Sequence, residues 1–313
     1  MTRLGVLLMT YGSPSSLYDV PAYLARIRGG RPADEELIAE FRRRYEVIGG
    51  SPLIPITQAQ ARSLEARLGG GALVRAAMRF SEPSIAAMLA ELAAAGVDEV
   101  VAITLSPQWS PLIMGGYGRA IEAARADLGP AAPTVVLAGD WYRQPAFVGA
   151  LAGRVRDGLA ELAAAGVSDA KPVPVLFTAH SLPRRVADEE PDYLRQLGCT
   201  AEAVADAAGL SDDRWRFCWQ SAGHEPGEWM KPDFADLMPE LAAGGSRAVL
   251  VAPVQFLADH LEILYDVEIG ARAQAEAAGL AFRRIRSLND DPLLIEALAA
   301  VVWEAVGGRV EVG

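Results

Sequence analysis

The strongest constraint on how this chain folds is a regular alternation of two kinds of segment. Short apolar runs recur along it: "LGVLLMT", "ALVRAAM", "EVVAITL" and "TVVLAG" in the first half, then "VPVLFTA", "RWRFCW", "AVLVAPV" and "AFRRIR" in the second. Between them lie helical patterns such as "EPSIAAMLAELAAAG" and "AFVGALAGRVRDGLAELAAAG", each stopped by a glycine. Continuous apolar strands are buried on both faces, and the helices between them are the crossovers that parallel strands require. The expected class is α/β with mainly parallel sheets covered on both faces.

The two halves resemble each other. "LLMTYGSP" and "LFTAHSLP" superpose on their prolines, Pro14 and Pro183, and this lays Tyr11 on His180. "EVVAITLSP", ending at Pro107, similarly matches "RAVLVAP", ending at Pro253. One α/β unit used twice is the expectation. A boundary near "AGDWYRQPAFVG" gives an N-terminal domain over 1–146 and a C-terminal domain over 147–313, with a final helix near Pro292 to Val306 that could pack on either. Tyr11 and His180 then follow the carboxyl ends of equivalent strands, where open α/β sheets bind ligands. Two such domains facing each other would make a cleft with one residue on each wall.

Composition excludes several classes. A chain of 313 residues that is 51% hydrophobic and 22% charged can bury a sizeable core. A net charge of −11 argues against nucleic acid as a partner. Two cysteines, Cys199 and Cys218, form no CxxC pair and are too few to hold an iron–sulfur cluster alone. The apolar run Leu4 to Met9 is shorter than a signal-peptide core, and no run approaches a membrane span, so a cytoplasmic protein is expected. "GGG" at Gly69 to Gly71 reads as a turn, without the surroundings of a phosphate loop.

Three histidines bound the chemistry. His180, at a strand's carboxyl end, has the position of a base or metal ligand, or of a packed structural histidine. His224, in "SAGHEPGEW", reads as exposed. His260 sits in "QFLADHLEILYD", where helical spacing would stack Asp259, Glu262 and Asp266 on one face and leave His260 off it as a structural residue. Ser181 adjoins His180, but no GxSxG elbow supports a serine nucleophile, and no HExxH or HxxxH gives a closed metal site. Six arginines, Arg26, Arg28, Arg31, Arg42, Arg43 and Arg44, fall within about twenty residues of an otherwise acidic chain. They make either a solvated helix face or a set of forks for carboxylates. "QWSPLIMGGYGRA" reads as an apolar stretch too broken to start a regular helix. An apolar lip with arginines opposite would suit a flat hydrophobic ligand with acidic arms.

At these residues the sequence resembles the ferrochelatase family, and within it the bacterial coproporphyrin branch. The motifs are "MTYGSP", "RYEVIGGSPL", "FTAHSLP", "CWQSAG" and "VQFLADHLEILYD", in order across nearly the whole chain. The resemblance implies two Rossmann-like domains around a central porphyrin cleft, and insertion of Fe²⁺ into coproporphyrin III in haem biosynthesis. It makes His180 the catalytic histidine, Glu262 its acidic partner, and Tyr11 the residue across the macrocycle that ligates product iron. His180, Glu262, Tyr11 and Asp266 become the implied metal contacts. Arg28, Arg44, Tyr45 and Ser51 become propionate contacts, with Ser13, Tyr117 and Ser221 as further porphyrin contacts. Tyr11 and the arginine density favour coproporphyrin, which has four propionates, over protoporphyrin, which has two.

The chain departs from the family where the acidic line would continue: the next position is Gly270, while Glu268 lies off the face. The cysteines of a [2Fe–2S] cluster and a long C-terminal extension are also absent, so a cluster-free soluble monomer is expected, with no tightly bound cofactor and Fe²⁺ as substrate. Transient contact with neighbouring haem-pathway enzymes is the other implied partnership. The rival readings are a protoporphyrin IX ferrochelatase, a sirohydrochlorin-type chelatase, a haem or porphyrin carrier, and a solute-binding protein.

Overall fold

A computed structural model describes residues 3–167, 171–223 and 227–307. The chain forms two compact units. The first runs to Gln144 and takes in Ala258–Leu261 and the chain from Asn289 onward; the second comprises Pro145–Leu257 and Glu262–Leu288. The second unit is thus left twice, and the C-terminal helix groups with the first unit rather than with the half that precedes it.

All eight apolar runs are strands: β1 (Leu4–Thr10), β2 (Leu73–Met78), β3 (Glu99–Thr104), β4 (Thr134–Leu137), β5 (Val175–His180), β6 (Trp215–Gln220), β7 (Ala248–Pro253) and β8 (Ala281–Arg284). The first unit holds a parallel sheet of order β2-β1-β3-β4, and the second a parallel sheet of order β6-β5-β7-β8. The orders are the same once β1 is matched to β5 and β3 to β7, as the internal likeness predicts.

In the first unit α1 (Val20–Ile27), α2 (Glu35–Val47) and α3 (Leu53–Leu68) connect β1 to β2, α4 (Ile85–Ala94) connects β2 to β3, and α5 (Pro111–Leu128) connects β3 to β4. In the second, α6 (Pro145–Ala164) leads into β5, and α7 (Arg184–Glu189) and α8 (Pro191–Ala208) connect β5 to β6. There α9 (Phe234–Ala243) precedes β7, and a π-helix, Glu262–Ala271, with α10 (Arg272–Ala277) connects β7 to β8. The last helix, α11 (Pro292–Gly307), packs on α3, and Arg67 on α3 makes a two-pronged ion pair with its Glu296.

The cores follow from the apolar strands. Leu7, Met9, Ala77, Val100 and Ala102 pack against Leu89, Leu92, Tyr117 and Ile121 of α4 and α5. Leu176, Cys218, Val249 and Val251 pack against Phe234, Leu237, Ile263 and Val267. Each large aliphatic so buried contributes about 1.5–3 kcal/mol. Cys199 and Cys218 are free thiols, and burial pushes the Cys218 thiol well above its usual range, which keeps it protonated. Gly69, Gly70 and Gly71 all have positive φ, which is the geometry of the expected turn.

Two local expectations are corrected. "QWSPLIMGGYGRA" does start a regular helix. Ser110 caps α5 by accepting the Ile113 N–H at 3.0 Å, and Pro111 occupies its first turn. Gly116 inside it answers a packing need, because a Cβ there would lie 1.9 Å from Arg79 Nη2. The acidic stripe is not one helical face either. Asp259 and His260 precede the helix, and the segment that begins at Glu262 closes i→i+5 hydrogen bonds, so its turn is wider than the 3.6-residue turn assumed.

Candidate active site

In the second unit the chain puts its chemistry at the carboxyl ends of β5, β6 and β7. His180 is the last residue of β5 and pairs in register with Gln220, the last of β6. Its Nδ1 is 2.5 Å from the Ser181 carbonyl oxygen. A carbonyl only accepts, so Nδ1 carries the proton, and in the neutral ring the lone pair is on Nε2. That Nε2 lies 3.9 Å from Glu262 Oε2, with the two side chains 30% and 33% exposed. The imidazole is therefore reachable, in a fixed tautomer, and beside a carboxylate.

Aromatic rings bound this histidine. Phe256 meets it edge-on at 6.5 Å between centroids, and Trp229 is tilted at 6.4 Å. Below it, the His180 N–H donates to Gln255 Oε1 at 2.7 Å, and Gln255 Nε2 donates to the buried Tyr193 hydroxyl at 2.5 Å. Ser221, the residue after β6, holds a left-handed φ of 57°, and its buried hydroxyl has no hydrogen-bond partner among the described residues. Such a group is costly unless a ligand or water completes it.

On the π-helix, Ile263, Val267 and Ala271 are buried, and the line one residue earlier, Glu262, Asp266 and Gly270, is half-buried beside them. Acid ends on this line at Asp266. Glu268 is taken up by Arg272 and by Arg284, the latter at 3.1 Å. Asp259 belongs to a different network in the first unit: its N–H donates to Asn289 Oδ1 at 2.9 Å, and its carboxylate accepts from Asn289 Nδ2 at 3.1 Å. His260 Nδ1 lies 2.9 Å from the Ala258 oxygen. His224 lies outside the described residues. Among the described residues no three His, Cys, Asp or Glu side chains form a metal cluster.

In the first unit Tyr11 directly follows β1 and is 42% exposed. Its ring meets Phe80 edge-on at 4.6 Å, and Phe80 in turn carries the Arg79 guanidinium at 4.7 Å. Arg79 also lies 5.4 Å from the Tyr117 ring centre. Main-chain bonds from Arg79 N to Thr10 O (2.9 Å) and from Phe80 N to Tyr11 O (3.0 Å) zip the two strand ends together. Tyr117 is packed in the core at 4% exposure, and burial holds its phenol well above the usual range. Ser13, Tyr45 and Ser51 share a cavity of ≈ 690 Å³ with Leu17, Ile54 and neighbouring glycines and prolines. The Ser13 hydroxyl is buried there without a partner among the described residues.

The arginine group divides. Arg44 donates to Glu40 at 2.7 Å and Arg43 to the same carboxylate at 2.8 Å, and these two guanidiniums hold the Glu40 carboxyl down to about 2. Arg26 and Arg42 are tied to main-chain oxygens of Phe80 and Leu17. Arg28 is exposed at the end of α1. Sequence reasoning missed Gln255, Phe256, Tyr193 and Arg79; the one visible signal was a glutamine two residues after the proline that ends β7.

No helix among the described residues is long and apolar enough to cross a membrane. The fold is that of the chelatases: SirB from Bacillus subtilis with Fe³⁺ superposes with a TM-score of 0.61 over 98% of each chain at 12% identity. The ferrochelatase from Herpetosiphon aurantiacus is 35% identical over 305 residues, which is 96% of this chain and 98% of its own. The coproporphyrin III ferrochelatase from Geobacillus kaustophilus is 36% identical over 317 residues, 98% of each. The ferrochelatase family model matches residues 3–306, so the chain belongs to the ferrochelatase family, enzymes that insert a metal into a porphyrin.

Proposed function

We propose that this chain inserts Fe²⁺ into coproporphyrin III. The observation that carries the reading is the His180–Glu262 pair: a tautomer set by the Ser181 oxygen, a basic Nε2, and a carboxylate 3.9 Å away. Insertion releases two pyrrole protons and leaves one Fe²⁺ bound by four nitrogens. His180 Nε2 accepts one pyrrole proton, the Glu262 charge stabilises the imidazolium that forms, and the second proton leaves to water shed by the hydrated cation. Glu262 and Asp266 supply oxygens for the incoming hydrated cation, and Tyr11 supplies a phenol oxygen to the product iron. The aromatic rings of Phe256 and Trp229 offer apolar faces to a flat macrocycle.

The choice of coproporphyrin rests on three supports. Tyr11 is exposed, so its hydroxyl can reach a ligand. Arg28 and Arg44, with Tyr45, Ser51, Ser13 and Ser221, provide donors for carboxylates. Some relatives carry the name coproporphyrin III ferrochelatase, while others are named ferrochelatase alone. The reading includes a monomeric enzyme with no tightly bound cofactor.

The test is an anaerobic Fe²⁺ assay with coproporphyrin III and protoporphyrin IX side by side. A clear preference for coproporphyrin III over many turnovers is the expected result. Preference for protoporphyrin IX overturns the substrate assignment, and product that stops at one equivalent indicates a carrier. Retained wild-type turnover in His180→Ala removes His180 from the mechanism.

A further inference from the structure

The β5–β7 ladder stops short of His180. Its last register pair is Thr178 with Pro253, and its last rung runs from Val254 N to Thr178 O at 3.0 Å. The next β5 donor facing that side is the His180 N–H, and by then β7 has ended. A buried main-chain donor needs an acceptor. Here a side chain provides it: Gln255 Oε1 takes the His180 N–H at 2.7 Å. The other end of the same carboxamide is fixed in turn, since Gln255 Nε2 donates to Tyr193 Oη at 2.5 Å, and Tyr193 on α8 is fully buried. The next residue, Phe256, meets the His180 ring edge-on. The pair Gln255–Phe256 therefore holds the main chain and the ring of one histidine, anchored on a fully buried phenol.

We infer that Gln255, braced by Tyr193, is a positioning residue for His180: it sets the Cα of His180 and so the aim of Nε2 toward Glu262. The inference rests on the reading of His180 as the proton acceptor. Positioning errors near 1 Å are enough to slow a reaction severely, while binding of a large ligand depends on many other contacts. Gln255 touches neither the proton nor the metal.

The test uses Gln255→Met, which keeps length and loses both hydrogen bonds, Tyr193→Phe, which removes only the brace, and Gln255→Glu, which restores an acceptor for the His180 N–H. With three histidines in the chain, ¹⁵N-labelled imidazole spectra report the His180 tautomer directly. Gln255→Met is expected to mix the two tautomers and lower kcat about tenfold, with KM for the porphyrin changed less than about twofold. Tyr193→Phe is expected to shift both readouts the same way by a smaller factor, and Gln255→Glu to recover the single tautomer. If Gln255→Met fails to fold, Tyr193→Phe decides the question. Unchanged His180 resonances and wild-type kcat in these variants, with His180→Ala inactive, overturn the inference and leave the reading of His180 standing. Active His180→Ala overturns that reading instead, and the tautomer spectra still decide whether Gln255 positions the ring.

Discussion

His180 Nε2 and Glu262 Oε2 stand 3.9 Å apart, at the end of one strand and the start of a π-helix. The gap is too long for a hydrogen bond and within the reach of an ion pair. Glu262 is therefore placed to stabilise an imidazolium as it forms. Glu262→Gln keeps size and removes charge. It is expected to lower kcat by about 10²-fold or more while porphyrin affinity, read by fluorescence titration, changes little. Turnover within a few-fold of wild type would remove Glu262 from proton transfer.

Asp259 and Glu262 look equivalent in sequence and are not equivalent in structure. Asp259 is pinned to Asn289, whose main-chain oxygen accepts from Gln60 Nε2 at 2.6 Å. Asn289 holds a left-handed φ of 51°, which asparagine tolerates better than most residues. Asp259→Ala is expected to cost about 1–3 kcal/mol in urea unfolding through the orphaned amide, with kcat of the folded fraction close to wild type. A loss of kcat matching that of Glu262→Gln, at unchanged stability, would return Asp259 to the reaction.

Glu40 gives a pH-dependent stability term. Hydrogen bonds from Arg43 and then Arg44 lower its pKa from 4.5 to about 2. A folded-state pKa below the unfolded one means stability that is present above pH ~4.5 and lost as pH falls through about 2. The pair is partly exposed, so Glu40→Gln is expected to cost less than about 1 kcal/mol at pH 7. The difference from wild type should shrink on going from pH 5 to pH 2.5. A gap in urea midpoints that is constant over this range would contradict it. The same variant removes the negative charge paired with Arg44, so coproporphyrin III is expected to bind more tightly to it at pH 7; weaker binding would count against Arg44 as a carboxylate contact.

Gly116 is where Arg79 lies against α5. A Cβ there would overlap the guanidinium, at 1.9 Å from Nη2 and 2.1 Å from Cζ. Because those atoms end a flexible side chain, Gly116→Ala is expected to fold, with Arg79 displaced and its contacts on Phe80 and Tyr117 lost. The cation–π loss is about 0.5–1 kcal/mol at each ring, offset in part by the better helix propensity of alanine. A high-resolution structure of the variant checks the displacement. Arg79 unmoved over both rings would refute this account.

The sequence by itself determined the architecture. Each of the eight apolar runs became a strand; the central ones, β1, β3, β5 and β7, are almost wholly buried, and a strand buried on both faces has to be apolar throughout. The internal likeness correctly implied two sheets of the same order. Motif resemblance marked His180 and Glu262, which the structure brings to 3.9 Å. Tertiary structure alone decided what periodicity could not carry. α-Helical spacing puts Asp259 on a face with Glu262, but a π-helix begins at Glu262 and Asp259 lies before it, bonded to Asn289. The Gly-Gly of α5 reads as a helix breaker, but Gly116 is the small residue that lets Arg79 lie against the helix. Gln255 read as one more polar residue in a loop, because its role is set by where β7 ends relative to β5 and by a tyrosine 62 positions away. Local pattern records which surfaces must be buried; which donor is left without an acceptor depends on how strands of different length come to lie side by side.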